Sequence, residues 1–73
     1  MTSAREYDSV RTTTDIVSDD GRTIPAGTMG VVLDVYADGT CYVEFTLKPQ
    51  TVDEDGDFLQ AEVSVSQLEI AGT

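Results

Sequence analysis

Asp53-Glu54-Asp55-Gly56-Asp57 packs four carboxylates into five residues, the oxygen-rich density that suits a hard divalent cation. An EF-hand loop needs glycine at its sixth position and glutamate at its twelfth. Counted from Asp53, those positions hold Phe58 and Ser64, so the stretch reads as an exposed acidic tip. Gly27-Thr28-Met29-Gly30 is too short to cradle a phosphate, and no lysine follows it. Cys41 is the single cysteine, and the chain has no histidine to activate it. It falls in an alternating apolar run and reads as a packed core thiol. Asp19-Asp20-Gly21 has the composition of an ordinary turn. One cysteine also excludes an internal disulfide and a cysteine-rich zinc site. The expectation is a protein with no catalytic residue, no metal and no cofactor.

The residues that remain chemically interesting are aromatic. Tyr36 and Tyr42 flank Asp38-Gly39, a strong hairpin signal between two alternating runs. If Asp38-Gly39 were a two-residue loop, Val35 would oppose Tyr42, and the apolar sets of the two runs would point to opposite faces. A three-residue loop, Ala37-Asp38-Gly39 with Gly39 left-handed, pairs Val35 with Cys41, Leu33 with Val43 and Val31 with Phe45. Directly opposed residues share a face, so the three-residue loop collects all six on one side. Tyr36 and Tyr42 then lie on the outer face beside Val32, Asp34 and Glu44. Aromatic rings next to carboxylates suit a basic or amphipathic partner, by apolar contact, charge and cation–π attraction. Two arrangements stay open: the tyrosines face solvent, or the long first loop folds over them.

Other runs carry the same period of two. Leu59, Ala61, Val63 and Val65 alternate with Phe58, Gln60, Glu62 and Ser64. A weaker strand is expected over Tyr7 to Thr13 and a short one over Leu68 to Ile70. No window keeps helical spacing over three turns, so the chain is expected to be all-β, a small five-stranded barrel. The inward set is Val31, Leu33, Val35, Cys41, Val43, Phe45, Leu59, Ala61, Val63, Val65 and Leu68. The segment from Asp15 to Thr28 reads as a loop anchored by Ile16 and Ile24. Gly27 and Gly30 are expected to supply positive φ at the entry to the second strand. Ser64-Val65-Ser66 is expected to start a single 3₁₀ turn capped by serine.

With 73 residues there is room for one domain, taken as 1–73 with its core over 7–70. Fourteen acids against four bases leave a net charge of −10. Such charge keeps a small protein soluble, suits salt-rich surroundings through screening, and steers a basic partner. It argues against nucleic acid, because Arg5, Arg11, Arg22 and Lys48 are scattered rather than clustered. Met1 to Ser9 is polar and has no apolar core of a secretory signal. Met29 to Tyr36, interrupted by Gly30 and Asp34, is far short of the roughly 20 apolar residues of a membrane span. A lone cysteine in a strand suits a reducing compartment, so a cytoplasmic location and no membrane partner are expected.

The stretch Ile24-Pro25-Ala26-Gly27-Thr28-Met29-Gly30-Val31-Val32-Leu33-Asp34-Val35-Tyr36, followed by Cys41-Tyr42-Val43-Glu44-Phe45, resembles the core of small SH3-like barrels. In these a G-x-x-G turn leads into V-V-x-V-Y and the returning strand reads Y-V-E-F. The pattern, with Val63-Ser64-Val65-Ser66-Gln67-Leu68-Glu69 at the end, is similar to a family of stand-alone bacterial and archaeal domains of unknown function. It also resembles KOW-type barrels and the barrel of nitrile hydratase β subunits. The likeness covers about Tyr7 to Ile70, and the basic residues of KOW barrels are missing here. The resemblance implies a non-catalytic acidic protein-binding module, of the kind that inhibits a neighbouring protein as an immunity protein or antitoxin does. The alternative it implies is a small accessory subunit or activator that docks on a larger enzyme. In either case Val32, Asp34, Tyr36, Tyr42 and Glu44 are the expected protein-binding residues.

Overall fold

The computed structural model of the protein describes residues 5–71. The outermost residues of the expected 1–73 domain therefore lie outside the described chain. The described chain is all-β apart from one 3₁₀ turn. Its strands are β1 (Ser9–Thr12), β2 (Ile16–Val17), β3 (Thr23–Ile24), β4 (Met29–Val35), β5 (Thr40–Lys48), β6 (Asp57–Ser64) and β7 (Leu68–Ile70), with the 3₁₀ turn at Val65–Gln67. Five strands form one sheet in the order β6-β5-β4-β1-β7, every neighbouring pair antiparallel. β2 and β3 form a separate two-stranded ladder. Among the described residues no helix is long and apolar enough to cross a membrane.

One hydrophobic cluster joins the sheet to this small ladder. It contains Val10, Ile16, Ile24, Val32, Cys41, Val43, Phe45, Leu59, Ala61 and Val63, with Leu47, Val65, Leu68 and Ile70 packed at its margin. The inward phases expected for β5 and β6 are observed. Ile16 and Ile24 anchor the first loop as expected and also pair with each other in the ladder. Thr12, buried beside them, is fully used. Its hydroxyl donates to the Pro25 carbonyl at 3.0 Å and accepts from the Thr28 N–H at 3.1 Å. The first strand is shorter than expected because Tyr7 sits at φ 66, outside extended geometry, so the regular strand begins at Ser9 although Tyr7 and Asp8 still exchange backbone hydrogen bonds with Val32.

The phase of β4 differs from the sequence expectation. Val31, Leu33 and Val35 are 39%, 36% and 38% exposed, while Val32 is fully buried. Val32 pairs with Val43 and Gly30 with Phe45, whereas the alternating pattern places Leu33 and Val31 there. The cause is steric. A β-carbon on Gly30 would lie 2.7 Å from Phe45 Cδ1 and 2.8 Å from Val43 Cγ1, closer than carbon atoms approach. The large Phe45 ring therefore needs the one position of β4 that has no side chain. Gly30 does not have positive φ; its role is this close approach, and the left-handed glycine of the segment is Gly27 at φ 88.

The turn holds the opposite parity. Tyr36 N–H donates to the Thr40 carbonyl at 2.9 Å, and Gly39 takes φ 88, so the loop is Ala37-Asp38-Gly39 as expected. Val35 opposes Cys41 and Asp34 opposes Tyr42, both in the expected register. A bulge between Val32 and Asp34 reconciles the two ends by leaving Leu33 as one extra residue on β4.

At the far end of β6 the expected 3₁₀ turn is capped reciprocally. The Ser64 hydroxyl accepts from the Ser66 N–H at 3.2 Å, and Gln67 Oε1 accepts from the Ser64 N–H at 3.1 Å. Val65 and Leu68, expected to point fully inward, are only partly buried at this margin, where the chain leaves strand geometry.

Candidate functional site

The outer face of the sheet is built in cross-strand rows. Asp34 of β4, Tyr42 of β5 and Glu62 of β6 stand in one row; Val31, Glu44 and Gln60 stand in the next. Cross-strand neighbours on one face lie about 5 Å apart and interact directly. The structure thus brings Asp34, Tyr42 and Glu44 together as the sequence suggests. Val32 is a correction: it is a core residue opposite Val43, and Val31 occupies the outer-face position beside Glu44. Met29, Val31 and Leu33 of β4, which alternate with buried Gly30 and Val32, are exposed, as is Val35 at the end of the strand.

Tyr42 is half-covered by the first loop. Its hydroxyl has two acceptors within reach, Gln60 Oε1 at 3.0 Å and Asp19 Oδ2 at 3.4 Å. Gln60 Nε2 in turn donates to Glu44 Oε2 at 3.2 Å. A chain of hydrogen bonds therefore runs from the loop across β5 and β6. Burial, and then the negative charge of Asp19, raise the Tyr42 phenol above its ordinary range. Tyr36, at the mouth of the hairpin, is 38% exposed. Partial burial followed by the charges of Asp34 and Glu62 raises its phenol as well. Of the two open arrangements, the loop contacts Tyr42 and leaves Tyr36 in solvent.

Among the described residues, no ion pair compensates the charges on this face. Arg11, Arg22 and Lys48 pair with Glu69, Asp57 and Glu54 respectively. The Arg22–Asp57 pair is bidentate, at 3.1 and 2.7 Å, and ties the turn between β2 and β3 to the start of β6. It holds the Asp57 carboxyl below the usual carboxylate range. Asp34, Glu44 and Glu62 take part in none of these ion pairs. Like charges gathered on one face repel, and a cation supplied from outside relieves the repulsion.

Three contributors escaped sequence reasoning: Asp19, Gln60 and Glu62. Asp19 looks like any turn residue in the chain, and its approach to Tyr42 spans 23 positions. Gln60 and Glu62 sit on the polar phase of β6, and that phase was the available signal. Asp19, Asp20, Phe58, Leu59 and Gln60 line an open cleft of about 350 Å³ along the β6 edge. The Asp20 carboxyl there is lowered by the Ser18 hydroxyl and the Arg22 backbone N–H, both of which donate to it. The acidic tip does not gather into a cluster. Glu54 is engaged by Lys48 and Asp57 by Arg22, and among the described residues no group of three or more acids or thiols is placed to hold a metal ion. Cys41 is fully buried, and that burial raises its thiol. Comparisons of the chain with protein-family models, curated proteins and solved structures give no match.

Proposed function

We propose that this chain is a non-catalytic acidic protein-binding module with a small SH3-like barrel fold, docking a basic, amphipathic partner protein on the outer face of β4 and β5. The barrel reading is supported by the connectivity: β1 pairs with both β4 and β7, a short ladder interrupts the β1–β4 connection, and a 3₁₀ turn precedes the last strand. The docking reading rests on one observation. Met29, Val31 and Leu33 stay half-exposed on one strand, beside Tyr36 and next to the unpaired carboxylates Asp34 and Glu44. An apolar strip bordered by uncompensated charge matches a surface of apolar and basic residues. A basic toxin-like protein, the partner class that the resemblance implies, presents such a surface. The proposal assigns no residue to catalysis, to a metal or to a cofactor, and it places the module in the cytoplasm, where the lone thiol stays reduced.

The test uses isotope-labelled protein titrated with basic proteins encoded beside it. Binding should move the amide signals of Val31, Leu33 and Tyr36 and weaken as salt rises. A double variant, Val31→Lys with Leu33→Lys, should lose at least about tenfold in affinity while keeping its fold. Equal binding by the folded double variant would remove the face assignment.

A further inference from the structure

On the outer face, the row nearest the hairpin reads Asp34, Tyr42, Glu62 across β4, β5 and β6. An aromatic ring stands in the middle with a carboxylate on either side, each about 5 Å away between β-carbons. Tyr36 adds a second ring beside this row, where its N–H donates to the Thr40 carbonyl at 2.9 Å. The two phenols share the same charged surroundings. Partial burial, then Asp34 and Glu62, raise that of Tyr36. Burial, then Asp19, Tyr36 and Glu44, raise that of Tyr42. Asp34, Tyr36 and Glu62 are exposed, and Tyr42 is half-buried. Asp34 accepts the Val35 N–H at 2.9 Å, and neither Asp34 nor Glu62 enters an ion pair among the described residues. The face changes character away from the hairpin. There Thr46 stands opposite exposed Phe58, and β4 contributes Met29 and Val31. Rings and charge therefore gather at one end of the face and apolar side chains at the other.

We propose that this row seats one arginine of the partner protein, its guanidinium lying on Tyr36 and Tyr42 and donating to the Asp34 and Glu62 carboxylates. This rests on the reading of the chain as a protein-binding module. It extends the docking face from β4 and β5 to β6, and it orients the partner, basic end over the hairpin and apolar end over Met29 and Val31. Shape selects arginine over lysine. A guanidinium is flat, so it can stack on a ring, and its donors point outward within its plane toward acids on both sides of that ring. An ammonium is a compact point charge. With their β-carbons about 10 Å apart, Asp34 and Glu62 suit the broad fork better than the point. Charge excludes other occupants. A second copy carries a net charge of −10 and holds Arg11 and Arg22 in ion pairs of its own. Nucleic acid would bring phosphates against these carboxylates.

The probe is a short capped peptide with one arginine between two valines, compared with versions carrying lysine or citrulline in its place; citrulline keeps the shape of arginine without its charge. Titrated into the labelled protein at low salt, the arginine peptide should shift the ring signals of Tyr36 and Tyr42 and the Glu62 amide in a saturable way. The citrulline peptide should bind about tenfold more weakly, and the lysine peptide about threefold. Glu62→Gln should weaken the arginine peptide about threefold. Asp53→Asn, which removes the same charge from the acidic tip, should leave it unchanged. Should the Glu62 variant misfold, the three peptides still decide, because they leave the protein unchanged. Equal binding of arginine and citrulline peptides would overturn the seat. Equal weakening by Glu62→Gln and Asp53→Asn would overturn it in favour of diffuse attraction by net charge. A partner protein that shifts Val31 and Leu33 but binds the Glu62→Gln variant at full affinity would remove the seat and leave the docking face standing. Full affinity of that partner for the Val31→Lys, Leu33→Lys variant, with the arginine peptide still preferred, would support the seat and remove the apolar strip from the interface.

Discussion

β4 and β6 flank the same central strand, yet they obey different rules. β6 meets β5 in one unbroken register from Phe58 to Ser64, and its apolar residues other than Phe58 face the core. β4 meets β5 in two registers joined at Leu33, and most of its apolar residues face outward. The difference lies in what each strand offers to the core. β6 has apolar residues on one parity only, apart from Phe58, so burial and alternation agree. β4 has them on both parities, so alternation cannot choose, and the fit of Gly30 under Phe45 chooses instead. A strand with a free choice of face takes its register from its tightest contact and leaves an apolar surplus on the outside.

The sharpest way to break this comparison is to exchange the faces of β4 chemically. Val32→Asp buries an unpaired carboxylate opposite Val43, a cost of several kcal/mol against a total stability of roughly 5 kcal/mol for so small a domain. It should leave the chain unfolded by circular dichroism. Val31→Asp, one position away, should change stability by about 0.5 kcal/mol or less, as surface changes do. The opposite ranking would restore the phase that simple alternation suggests.

Next in size is the contact that sets the register. Gly30→Ala forces a methyl group against Phe45, Val43 and the Glu44 carbonyl, and should cost about 1–3 kcal/mol by denaturant unfolding. Combined with Phe45→Leu, the loss should be smaller than the sum of the two single losses, because the shorter side chain vacates part of the clash. Strict additivity would mean that the glycine serves another purpose.

Deleting Leu33 tests the bulge itself. Without it, Val32, Asp34 and Val35 follow one another with regular alternation, and both ends keep their observed partners. The deletion should therefore be tolerated, at roughly 1 kcal/mol, and should narrow the apolar strip without moving the hairpin. A collapse of the fold would show that the extra twist of the bulge is indispensable.

These strands also show what the chain discloses about itself. The hairpin loop, the strands β5 and β6, the short last strand and the serine-capped turn were legible, because each depends on residues close in sequence: Asp38-Gly39, one-sided alternation, Ser64 with Gln67. The inward face of β4 was not, because its deciding contact joins Gly30 to a ring fifteen positions away. On the outer face, Asp34, Tyr36, Tyr42 and Glu44 follow from strand parity near the turn. Val32 was misplaced by the same parity once the bulge intervened. Asp19 reaches Tyr42 only through the folding of the first loop, which no local pattern encodes, and Gln60 reaches it through the β5–β6 register.

The smallest effect concerns the two outer flanks of the sheet rather than its centre. The Arg22–Asp57 pair links the first loop to β6, and no ion pair links β4 to β5. Asp57 has a folded-state pKa below its unfolded value, with Arg22 as the main cause. Its contribution is therefore present at pH above the ordinary carboxylate range, near 4, and is lost as pH falls through the depressed folded value. Asp20 and Asp38 shift in the same direction, Asp20 in the first loop and Asp38 in the hairpin turn, so acid acts at each of these places. Asp57→Asn removes one of them selectively. Below pH 4 the melting temperatures of parent and variant should converge, while at neutral pH the parent should be slightly more stable. Hydrogen exchange locates the change: in acid, amides of β2 and β3 should open before those of β4 and β5, and in the variant they should open already at neutral pH. If β4 and β5 open first, the loop is not held by this pair, and the cleft beside β6 owes its shape to the packing of Ile16 and Ile24 and to the contacts of Asp19 with Gln60 and Tyr42.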